Sequence, residues 1–64
     1  MEKIAYLIAS GSGYLIRVEN DTPYLTSDYA SATRYNKEDV TEMARKVVDL
    51  GFEADIVTLR VGSI

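Results

Sequence analysis

The chain has 64 residues, 47% of them hydrophobic and 27% charged, the balance of one soluble globular domain with no room for a second. It carries neither Cys nor His, which excludes thiolate nucleophiles, Ser-His-Asp and Cys-His arrangements, disulfide frameworks and nearly every zinc site. Seven Lys and Arg against ten Asp and Glu leave a formal net charge of -3, opposite in sign to the footprint of a protein that grips nucleic acid by its phosphates.

Residues 3–9 (KIAYLIA) are β-rich and apolar on both alternating sets, with Ile4, Tyr6 and Ile8 on one side and Ala5, Leu7 and Ala9 on the other. That pattern suits a central strand. Residues 10–13 (SGSG) supply two glycines able to take positive φ, and residues 14–19 (YLIRVE) resume as a strand, so the pair reads as an antiparallel hairpin. In strict alternation Tyr14, Ile16 and Val18 share one face of that second strand and Leu15, Arg17 and Glu19 the other. Tyr6 and Tyr14 flank the turn, and a cross-strand aromatic pair is expected for them.

Residues 20–23 (NDTP) read as a turn, because Asn and Asp bond their own backbone and Pro presets φ. A short extended piece follows at residues 24–26, with the makings of a second hairpin. Residues 26–28 (TSD) offer capping side chains ahead of one helical turn at residues 29–32, before residues 33–35 become extended again. Asn36 is the N-cap of the one helix, Glu38 and Asp39 face its positive dipole end, and Gly51 stops it after Leu50. Val40, Met43, Ala44, Val47 and Val48 form a stripe that must lie on the sheet, while Glu42 and Lys46 have the favourable i, i+4 order on the outer side. Residues 53–61 (EADIVTLRV) alternate again as a last strand.

The sum is an α+β domain over residues 1–64: a small, mainly antiparallel three- or four-stranded sheet with one helix packed on one face, in ββ-α-β order. One helix covers one face, yet the first strand is apolar on both, so the second face needs a cover. Either a second copy or partner supplies it, or the segment at residues 24–35 folds back over it. A chain of about 60 residues buries only roughly 60% of its unfolded surface, which also favours association. The apolar stretch at residues 4–9 is shorter than a signal peptide's apolar region or a membrane span, so a cytoplasmic protein without membrane contact is expected.

The chemistry on offer is plain. The SGSG loop feeds a strand where a phosphate loop feeds a helix, so it reads as a hairpin turn. Asp21, Asp28, Asp39, Asp49 and Asp55 match no cation-loop spacing and read as caps and solvated carboxylates. No catalytic residue, cofactor or metal ligand is expected, and Arg17, Arg34 and Arg60 make too small a patch for single-stranded nucleic acid. Five tyrosines in so short a chain instead point to protein contacts, since Tyr gives apolar area with a polar tip at low entropy cost.

Residues 24–28 (YLTSD), 32–35 (ATRY), the helix start at residues 37–40 (KEDV) and residues 53–57 (EADIV) together resemble small phage and prophage accessory proteins of Gram-positive bacteria. The resemblance covers residues 14–61 and implies a viral gene product that binds and inhibits a host protein. The expected function is a non-enzymatic protein-binding module. Tyr24, Tyr29, Arg34 and Tyr35 are its anchors, and Glu38, Glu42 and Asp49 its acidic flank against a basic site. The alternative is a homo-oligomeric structural or small-ligand-binding protein that self-associates as a homodimer through Ala5, Leu7 and Ala9 or the opposite set.

Overall fold

The computed structural model describes residues 3–61. Its elements are β1 (Lys3–Ser10), β2 (Gly13–Glu19), β3 (Thr22–Thr26), a single 3-10 turn (Tyr29–Ser31), α1 (Lys37–Asp49) and β4 (Asp55–Val61). The strands form one antiparallel sheet in the order β3-β2-β1-β4. This is an α+β fold with three strands, not two, ahead of the helix.

Local chemistry explains both hairpins. Between β1 and β2 the turn is Gly11-Ser12, with the left-handed residue at the first position, where glycine carries no steric cost. Gly13, by contrast, does not use positive φ. A Cβ there would lie 3.0 Å from Leu25 Cβ, closer than ordinary contact, so a side chain at this position has to displace Leu25. Between β2 and β3 the turn is tighter than the sequence suggests: Asn20 and Asp21 take φ of 53° and 59°, the doubly left-handed pattern that matches strand twist. Thr22 and Pro23 therefore belong to β3, where Pro23 sits opposite Val18 on an edge strand that tolerates its missing N–H.

The helix matches its sequence signals. Asn36 Oδ1 accepts from the Asp39 N–H at 2.7 Å, and Gly51, at φ 93°, ends the last turn. Val40 and Val47 bury completely against Ile8 and Leu15, with Tyr6, Val18, Tyr35, Met43, Ala44 and Ala54 packed around them. Val48 departs from the predicted stripe and stays 54% exposed, outside the cluster that Val40, Met43, Ala44 and Val47 join.

A bulge at Ile16 overturns the strict alternation read for β2. Leu15 pairs with Leu25 and Arg17 with Tyr24, so Ile16 is the extra residue, and Leu15 and Val18 both reach the core. β1 and β2 pair only at Ala9↔Tyr14 and Ser10↔Gly13 and then part. Into that gap runs the chain before α1. The Thr33 N–H donates to Leu15 O at 3.2 Å and the Thr33 hydroxyl to Ile16 O, while Tyr35 and Tyr6 exchange backbone bonds of 2.8 and 3.0 Å. The expected Tyr6–Tyr14 pair does not form, since Tyr14 lies opposite Ala9 and so projects from the other face. Tyr35 takes that place beside Tyr6.

Leu7 lies on the face away from α1, opposite Val57, yet is only 1% exposed. Alternation back from Tyr35 puts Ala32, the other buried apolar residue outside the helix-side cluster among the described residues, on that same side. The 3-10 turn and its exit thus lie over a face that two copies were one way to cover. Asp28 shapes this crossing: its carboxylate accepts from the Ala30 N–H and the Ser31 hydroxyl, each at 3.0 Å.

Candidate functional site

The residues expected to bind a partner fall on two sides of the sheet. Tyr24 lies on the edge strand, with the Arg17 guanidinium 4.8 Å from its ring centre and Glu19 Oε2 3.6 Å from Arg17 Nε. It shares the face away from α1 with Arg34, which alternates with the inward Tyr35. Tyr29 is 56% exposed on the 3-10 turn. Tyr35 instead joins the helix-side core, and Glu38, Glu42 and Asp49 are exposed on α1. The seven residues therefore make no single surface.

One concave feature gathers part of them. An open groove of about 430 Å³ runs between Tyr35 and the adjacent flank of α1, lined by Tyr35, Asp39, Glu42, Met43 and Lys46. Its lining brings together a phenol ring, a thioether, two carboxylates and an ammonium group. Asp39, Met43 and Lys46 are additions to the sequence-based set. Their signal was present in the helix period, because positions 39, 42, 43 and 46 repeat on one side of the apolar stripe. What was missing was the wall: Tyr35 reaches the groove only because residues 33–35 enter the sheet.

Arg17 with Glu19 is the only ion pair within 4 Å among the described residues, so Glu42 and Lys46 do not close on each other despite their spacing. Both stay available to a visitor. No three Asp or Glu side chains converge to hold a metal ion among the described residues, and no helix there is long and apolar enough to cross a membrane. No protein-family model matches the chain, and comparison with curated proteins and with solved structures finds no match.

Burial pushes the Tyr35 phenol above its ordinary value of 10.0, and a hydrogen bond with the Thr33 side chain works in the opposite direction. The folded state thus favours the neutral phenol. Its contribution is complete below the unfolded value, about 10, and is lost as pH rises through the raised folded value. In thermal melts from neutral to strongly alkaline pH, Tyr35→Phe is expected to decline less steeply above that point than the parent. An identical alkaline decline would show that ionisation of Tyr35 is not what destabilises the fold.

Proposed function

We propose that the chain is a non-enzymatic protein-binding module that acts by occlusion, seating a basic segment of a partner protein in the groove beside α1. The observation that carries this reading is the pairing of a Tyr35–Met43 apolar wall with the Asp39 and Glu42 carboxylates in one open groove. An arginine suits it best: its guanidinium stacks on the phenol ring while its N–H groups meet a carboxylate. Glu38 and Asp49 continue the acidic surface along α1 and favour approach of a positively charged partner. Tyr24, Tyr29 and Arg34, on the other side, serve a second contact of the same partner. The resemblance to phage accessory proteins implies a host protein as that partner, met in the cytoplasm.

A tagged pull-down from bacterial lysate at low and high salt, run with the parent chain and with the Asp39→Lys, Glu42→Lys double variant, tests this. The expected result is one dominant protein whose recovery falls with salt and disappears with the variant, whose circular dichroism spectrum is compared with the parent's because Asp39→Lys also sets a cation at the N-terminus of α1. Equal capture by both chains would remove the groove from the mechanism.

A further inference from the structure

The two edges of the sheet are built differently. β3 is five residues long, carries Pro23 and faces a bulged neighbour, three features that discourage another strand from adding to it. β4 has none of them. It runs seven residues, pairs in unbroken register with β1 on one side, contains neither Pro, Gly nor Lys, and meets no strand on its other side among the described residues. Two side chains of that strand are apolar without being covered: Ile56 is 47% and Val57 37% exposed, and Val48 near the end of α1 and Phe52 just beyond it are exposed as well.

We propose that β4 pairs antiparallel with β4 of a second copy across a two-fold axis normal to the sheet, making one continuous eight-stranded sheet with both helices on the same side. This proposal is independent of the groove, because Tyr35 flanks β1 on the side away from β4 and both grooves stay open in the pair. A two-fold axis of this kind sets residues of equal parity opposite one another, and the register centred on Thr58, the middle of β4, uses the whole strand. Val57 then meets Leu59 of the second copy on one face, and Ile56 meets the aliphatic stem of its Arg60 on the other. The charges Asp55 and Arg60 are never set against their own kind, and neighbouring registers of the same parity keep that property. A second copy therefore satisfies the edge N–H and C=O groups and covers the exposed Ile56 and Val57 together.

Analytical ultracentrifugation of the whole chain reads the result directly. A dimer that survives high salt is expected, in contrast to the salt-sensitive groove contact, and Val57→Lys or Ile56→Lys should return it to monomer with an unchanged circular dichroism spectrum. The chain has no cysteine, so Thr58→Cys introduces a single thiol that should cross-link two copies on mild oxidation, whereas Ser12→Cys at the far turn should not. A parent chain that remains monomeric overturns the proposal. So does a dimer indifferent to both lysine variants and without a Thr58→Cys cross-link, which would place the interface elsewhere.

Discussion

Replacing Leu15 by alanine is expected to leave the chain largely unfolded at room temperature. Leu15 is completely buried at the centre of the helix-side cluster, against Ile8, Val40 and Val47, and its carbonyl accepts the backbone bond that holds Thr33 in the sheet. Truncating a buried Leu to Ala removes about 2–5 kcal/mol, from lost transfer free energy plus the cavity left behind. A domain of this size, without disulfide or metal, has only about 3–5 kcal/mol in total from its single core. The site has little capacity to collapse, because four fully buried side chains from β1, β2 and α1 meet there and the bulge at Ile16 fixes the strand path beside it. Urea unfolding followed by circular dichroism checks the size. A loss below about 1 kcal/mol would mean that the neighbours close the space and that the cluster is less rigid than its burial implies.

Thr33→Val is expected to cost about 1–3 kcal/mol, the penalty of leaving a part-buried carbonyl without its donor. The substitution keeps the shape and β-branching of the side chain and removes the hydroxyl, and with it both the bond donated to Ile16 O and the contact with the Tyr35 phenol. Ile16 is the bulged residue, so no ladder partner on β3 stands ready to replace that donor. Loosening here would also release Tyr35, whose backbone exchange with Tyr6 continues the same insertion. Thr33→Ser should recover most of the loss by restoring the hydroxyl, with a smaller residue from the missing methyl. Amide exchange at Tyr6 and Tyr35 distinguishes local release from global unfolding: faster exchange confined to these two indicates the former. If Thr33→Val melts like the parent, the insertion is held by its backbone bonds alone.

Leu15 and Thr33 both take their places from contacts that local sequence pattern does not contain. Strict alternation groups Leu15 with Arg17 and Glu19, and one extra residue in β2 is enough to separate it from them, because every side chain beyond a bulge shifts its facing. The sequence makes Thr33 and Tyr35 extended, which they are, but extension alone says nothing of which strands lie on either side. For the candidate groove, the helical half was written in the spacing of Asp39, Glu42, Met43 and Lys46, while its Tyr35 wall depended on that insertion.

What the sequence by itself determined is what short-range chemistry controls. The Asn36 cap, the Gly51 stop, the apolar period of α1, the left-handed residues Gly11, Asn20 and Asp21 and the Asp28-capped turn each act within about one turn of chain, where side chain and backbone meet whatever the rest does. The tertiary structure alone decided that β1 and β2 part after two residue pairs, that residues 33–35 fill the opening, and that Leu7 is covered on the face without a helix. Each of those outcomes depends on contacts between segments far apart in the chain. Their free energy comes from burying shared surface and satisfying shared backbone groups, quantities that no single window of sequence contains.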